Sequence, residues 1–147
     1  MLSKKTKYAL KALSVLASSY SKGLPVRIAE IAKTGKIPKR FLEAILIELK
    51  RGGILESNHG RYGGYSLKFP PEAISLAKPI RLIEGPISPT YCVSLNFYGK
   101  CNDCENEQTC LIRPVMLKVR DAKLSIYENL TLQDLLNKED TIMAENS

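Results

Sequence analysis

Residues 37–69 read Ile37-Pro-Lys-Arg-Phe-Leu-Glu-Ala-Ile-Leu-Ile-Glu-Leu-Lys-Arg-Gly-Gly-Ile-Leu-Glu-Ser-Asn-His-Gly-Arg-Tyr-Gly-Gly-Tyr-Ser-Leu-Lys-Phe69, and their pattern decides the fold. Phe41, Leu42, Ile45, Leu46 and Leu49 recur at helical spacing and predict a buried stripe on a helix over 38–51. Pro38 suits the first helical position, where no N–H donor is needed. Gly52-Gly53 ends the helix. Residues 54–57 and 64–69 then read as two strands around a flexible polar tip, 58–63.

Upstream, Ser3 is a candidate cap for a helix reaching about Tyr20, with Ala9, Ala12, Leu13, Leu16 and Tyr20 on one face. Val26-Arg27 suits a very short strand. Ile28 to about Lys33 predicts a short helix with Ile28, Ile31 and Ala32 inward, followed by a turn at 34–37. Three helices followed by a hairpin is the order of a winged helix-turn-helix. The fold class expected is mainly α with a small β-hairpin wing, plus a long C-terminal dimerisation helix.

Downstream, a helix is expected from Glu72 to Glu84, stopped by Gly85-Pro86. Residues 87–108 are irregular. A long helix follows from Leu111 or Arg113 to Asn129, with Val115, Val119, Ala122, Ile126 and Asn129 at the alternating spacing that a partner helix needs. Thr131-Leu-Gln-Asp134 resembles a capping box opening a short helix to Asn137, and the polar tail beyond Lys138 is expected to fray. The expected division is a winged-helix DNA-binding domain (1–86), a cysteine-bearing loop (87–110), dimerisation helices (111–138) and a flexible tail (139–147).

A 44% hydrophobic fraction over 147 residues predicts a folded chain. No apolar run approaches the roughly 18–20 residues needed to span a bilayer, and the basic N-terminus lacks the pattern of a signal peptide. The expectation is a cytoplasmic protein in a reducing compartment, without a membrane partner. The net charge of +7 is unevenly spread: residues 1–87 hold 16 Lys and Arg against 6 Asp and Glu, whereas residues 88–147 hold 6 against 9. A basic front half suits a polyanionic partner, double-stranded DNA.

The helix over 38–51 leaves Lys39, Arg40, Glu43 and Ala44 outward in its N-terminal part, where recognition helices meet base edges. Arg40 is suited to a bidentate contact with guanine. Lys36 and Lys39 suit phosphates. Lys4, Lys7 and Arg27 join the DNA-binding set, with His59, Arg61 and Tyr62 at the wing tip, where an arginine suits a narrow minor groove. A merely solvated helix face is the alternative for any one of these residues.

The segment Ile37–Leu46, the Gly53-Ile-Leu after it, Gly60-x-x-Gly-Gly-Tyr-Ser-Leu67, Ile80–Ile87 and Thr131-Leu-x-Asp-Leu-Leu136 together resemble the Rrf2 family of bacterial transcriptional regulators. The resemblance covers about residues 1–137. It implies a DNA-binding regulator rather than an enzyme. It also implies a homodimer joined through helix 113–129 on a palindromic operator, often with a sensed signal. One departure is visible: where the family often carries a basic residue before the first wing glycine, this chain has His59, and Arg61 follows the glycine.

All four cysteines, Cys92, Cys101, Cys104 and Cys110, fall in one short window as C-x8-C-x2-C-x5-C. In a reducing compartment such clustering points to metal or redox chemistry. Thiolates suit both iron–sulfur clusters and tetrahedral zinc. Several members of the family bind an iron–sulfur cluster through three cysteines in this region and others bind none. The resemblance implies Cys110 as the last ligand, with either Cys92 and Cys101 or Cys101 and Cys104 as the others; free thiols or a redox-formed disulfide are the remaining alternatives. Two other classes remain: a zinc-stabilised interaction module, and a C-x2-C thiol oxidoreductase. The acidic neighbours Asp103, Glu105 and Glu107 argue against the oxidoreductase, because they would not lower a thiol pKa.

Overall fold

The computed structural model describes residues 1–147, the side chains of Glu139, Thr141 and Met143 excepted. Its helices are α1 (Lys4–Ser18), α2 (Ile28–Gly35), α3 (Lys39–Arg51), α4 (Ala77–Glu84), α5 (Arg113–Asn129) and α6 (Leu132–Glu145). Strands β1 (Leu55–Asn58) and β2 (Gly64–Leu67) form an antiparallel hairpin that pairs Leu55 with Leu67 and Asn58 with Gly64. The order is that of a winged helix-turn-helix.

The apolar spacing builds the core. Ala9, Ala12 and Leu13 of α1, Ile31 of α2, and Leu42, Ile45, Leu46 and Leu49 of α3 are buried together with Ile54, Leu55 and Leu67 at the hairpin base. Each fully buried Leu or Ile contributes about 1.5–3 kcal/mol relative to exposure. The α2–α3 turn closes with the Ile37 N–H donating to the Ala32 carbonyl at 2.9 Å, and Lys36 takes the left-handed conformation (φ 52°). Pro38 lies one residue earlier than expected, as the cap before Lys39 rather than the first helical residue.

Four further expectations need correction. First, the helix expected over 72–84 is two pieces. A short turn at Pro71–Ala73 is followed by extended Ile74, and α4 starts at Ala77. Residues 74–76 pair with 130–132 instead: Leu76 N–H donates to the Leu130 carbonyl at 2.8 Å and Leu132 N–H to the Ile74 carbonyl at 3.0 Å. Pro79 explains the break, since proline is tolerated in a first helical turn but not mid-helix. Second, α6 runs to Glu145, past Asn137 and through much of the expected tail. Third, Phe41 is not in the buried stripe; it is 45% exposed. Fourth, Tyr20 lies outside α1, in a short turn at Tyr20–Lys22, and is exposed.

The C-terminal helices divide their roles. The fully buried Leu132 of α6 belongs to the same core as α1. Along α5 the only buried residue is Leu124, while Val115, Val119 and Ile126 remain exposed. Among the described residues, no helix is long and apolar enough to cross a membrane.

Candidate nucleic-acid interface and cysteine site

Lys39 and Arg40 open α3, Glu43 and Ala44 follow one turn later, and all four are exposed. The N-terminal end of a helix carries a partial positive charge and unsatisfied N–H groups, so two cations there suit a phosphate-lined groove. The Arg40 guanidinium lies 4.6 Å from the centroid of the Phe41 ring. Phe41 in turn leans on Tyr8 of α1, with 6.3 Å between ring centroids. Lys4 lines the same cleft as Arg40, so the starts of α1 and α3 converge. Lys7 is exposed beyond them. The neighbouring Lys5 is occupied by an ion pair with Glu48 at 2.5 Å.

The wing is tied to this face. Arg27, the residue capping α2, donates through Nη2 to the Arg61 carbonyl at 2.8 Å. Arg27 therefore braces the wing tip, a role its charge alone did not suggest. Val26 pairs with Tyr65 beside it, and Gly64 makes that approach feasible: a Cβ there would lie 2.4 Å from the Val26 carbonyl oxygen, at φ +152°. Arg61, Tyr62 and His59 are exposed at the tip, with the Arg61 guanidinium 5.8 Å from the Tyr62 ring centroid. Lys36 is placed apart from the Lys4–Arg40 cleft. It lines a groove with Lys11 facing Gln133 and Asp140 of α6.

The start of α1 is fastened from a distant part of the chain. The Glu84 carboxylate accepts from the Ser3 N–H at 3.1 Å and the Ser3 hydroxyl at 2.8 Å, and also from the buried Thr6 hydroxyl. The Thr6 bond, with help from Ser3, holds the Glu84 pKa below its ordinary value of 4.5. Gly85-Pro86 and the cysteine loop begin immediately after it.

All four cysteines line one 390 Å³ cavity between residues 90–113 and the start of α5. Cys92 is buried and the other three are half-buried free thiols. The Cys92 thiol lies 3.3 Å from the Thr90 hydroxyl. Its hydrogen bond with the Cys101 thiol raises the Cys101 pKa, with partial burial adding to the effect. Glu107 accepts from the Tyr98 hydroxyl at 2.7 Å, which raises the Tyr98 pKa, and lies 3.8 Å from Arg113 Nε. That last distance is too long for a hydrogen bond, and Arg113 Nε is buried without a hydrogen-bond partner. Among the described residues, no three Cys, His, Asp or Glu side chains converge closely enough to hold an ion. The quartet read from sequence thus surrounds a cavity rather than forming a closed coordination sphere.

A family model described as Rrf2, iron-dependent transcriptional regulator, matches residues 2–138. The chain belongs to the Rrf2 family of transcriptional regulators. An rrf2-like HTH-type regulator of Rhodobacter capsulatus is 44% identical over 138 residues, 92% of each chain. The regulator CymR of Bacillus subtilis is 32% identical, covering 95% of this chain and 91% of its own. The solved structure of B. subtilis CymR, the global cysteine regulator, superposes with a TM-score of 0.76 at 30% identity, over 94% of this chain and 97% of that one. T. potens IscR shares the fold with a TM-score of 0.72 at 24% identity, over 95% and 88%.

The donor chemistry of this Rrf2 cavity fits a thiolate-bound metal centre. Four soft sulfur ligands share one cavity, and Arg113, whose buried Nε has no hydrogen-bond partner, lines it with them. Three features escaped sequence reasoning: the Ser3–Thr6–Glu84 join, the Arg27 brace and Arg113. No local signal marks the first two, because the partners are far apart in the chain. Arg113 was visible as the cation three residues after Cys110.

Proposed function

We propose that this Rrf2 regulator acts in the cytoplasm as a homodimer on a palindromic DNA operator. In this reading α3 enters the major groove, the wing tip enters the adjoining minor groove, and an iron–sulfur cluster on the loop thiols sets operator affinity. The observation that carries it is the exposed N-terminal face of α3. Neither Lys39 nor Arg40 is among the described ion pairs, and the Arg27 brace holds the wing alongside. Lys4, Lys7, Lys36 and Lys39 supply phosphate contacts, Arg40 and Glu43 base contacts, and His59, Arg61 and Tyr62 wing contacts.

The homodimer reading is supported by the stripe Val115, Val119, Ala122 and Ile126, which this chain leaves exposed. Cys110 with either Cys92 and Cys101 or Cys101 and Cys104 would hold the cluster, in the cavity that Arg113 also lines. When bound, a cluster supplies a redox- and iron-sensitive occupancy. The loop 87–110 joins α4 to α5, so its order bears on the spacing of the two α3 helices. The count of four thiols, including a C-x2-C pair, favours zinc as the second reading.

The test is metal and sulfide analysis, with a visible spectrum, of protein purified without oxygen. Iron with sulfide and broad visible absorption supports the cluster, whereas colourless protein with stoichiometric zinc supports the second reading. If Ser substitutions at Cys101, Cys104 and Cys110 left both metal content and operator binding unchanged, the sensing role would be refuted.

A further inference from the structure

The reading face of α3 carries apolar surface that hydrogen bonds to DNA leave unused. At about 100° per residue, Arg40, Ala44 and Ile47 fall opposite the buried line of Leu42, Ile45 and Leu49. Ala44 is exposed, and Ile47 and Phe41 are each 45% exposed. Phe41, Ala44 and Ile45 of α3 and Tyr8 of α1 floor a 340 Å³ cleft whose rim is Lys4, Lys5 and Arg40. With Lys5 paired to Glu48, an apolar floor beside the two remaining cations, Lys4 and Arg40, suits an occupant that is apolar at one point and anionic around it. In the major groove, one base presents such a point: thymine, through its C5 methyl group, flanked by phosphates.

We propose that Phe41 and Ala44, backed by Tyr8, form a subsite for the C5 methyl of an operator thymine next to the base that Arg40 contacts. The inference rests on the reading of α3 as the DNA-reading helix. The stacking of Arg40 on Phe41 puts the hydrogen-bonding group and the apolar group side by side. Ala44 is one turn beyond Arg40, about 6 Å along the helix axis. Base pairs rise by about 3.4 Å, so the thymine lies one or two steps from the Arg40 base.

The test starts with a duplex selected from random DNA by the full-length protein. Each thymine is then replaced singly by uracil, which removes only the methyl group. One thymine per half-site is expected to show a loss of about fourfold in affinity, the factor for one buried methyl-sized group. Ala44→Gln protein is expected to be indifferent to that same replacement. If every uracil duplex binds as tightly as the parent, and the parent binds with salt-dependent affinity, the subsite is overturned and DNA reading by α3 stands. Methyl sensitivity retained in Ala44→Gln overturns the assignment to Ala44. If selection enriches no duplex, the underlying DNA reading fails and the subsite falls with it.

Discussion

Replacing Arg40 and Lys39 separately with alanine should weaken operator binding in two distinguishable ways. Both side chains are exposed on the first turn of α3, so neither loss should unfold the protein. Arg40 rests on the Phe41 ring 4.6 Å away, a placement suited to a base edge. A bidentate arginine–base contact is worth about 1–3 kcal/mol of discrimination, or about 5- to 150-fold per half-site. Lys39 is assigned to phosphate. Its loss removes one neutralised phosphate per protomer and two per homodimer, so the slope of log K against log salt should flatten by about 1.8. The assay is fluorescence anisotropy on the selected duplex between about 50 and about 200 mM salt, repeated with each base pair changed. Arg40→Ala is expected to lose discrimination at one position while its salt slope flattens no more than that of Lys39→Ala. An Arg40→Ala protein that kept full discrimination at every position, and lost only salt slope, would falsify the base-reading assignment.

Other consequences test the scaffold. Because the Glu84 pKa is lowered in the folded protein, its contribution to stability is present above its unfolded value of 4.5 and lost as pH falls through the lower folded value. Denaturation of Glu84→Gln should therefore show a stability deficit at neutral pH that shrinks toward zero in acid; a deficit independent of pH would contradict the join to Ser3 and Thr6. Leu132→Ala removes a fully buried side chain at the α6–α1 contact and should cost about 2–5 kcal/mol in urea unfolding, whereas a peripheral α6 would give a change near zero. Val119→Asp with Ile126→Asp places charge on the exposed α5 stripe and should yield monomers by sedimentation with the fold intact by circular dichroism; an unchanged dimer would place the interface elsewhere.

The strongest features were legible because they are local. The α3 stripe, the glycine-rich wing tip and the Thr131–Asp134 capping box each declare themselves within a few residues, and all three are present. Phe41 misled because helical spacing alone put it with Leu42 and Ile45. It lies about a quarter-turn from the centre of that line, where Tyr8 meets it only partway. The break at Ile74 depends on pairing with residues near Thr131, a contact remote in sequence. The polar composition beyond Lys138 predicts fraying, yet α6 continues to Glu145 because residues such as Ala144 and Glu145 are good helix formers. The cysteine window was plain in sequence. Its arrangement around a cavity, with Arg113 alongside, emerges only when the loop is folded against α5.

The claim that the cysteine loop governs the DNA-reading face is tested most directly by one affinity measured twice. Full-length protein purified without oxygen, its metal content measured, is titrated onto its selected duplex before and after treatment with a chelator that strips thiol-bound metal. A coupling of ordinary size shifts the affinity by about 5- to 150-fold, and that is the expected result. Equal affinities before and after, with metal loss verified, would contradict the account and leave the α3 face a DNA reader without a cysteine-borne signal.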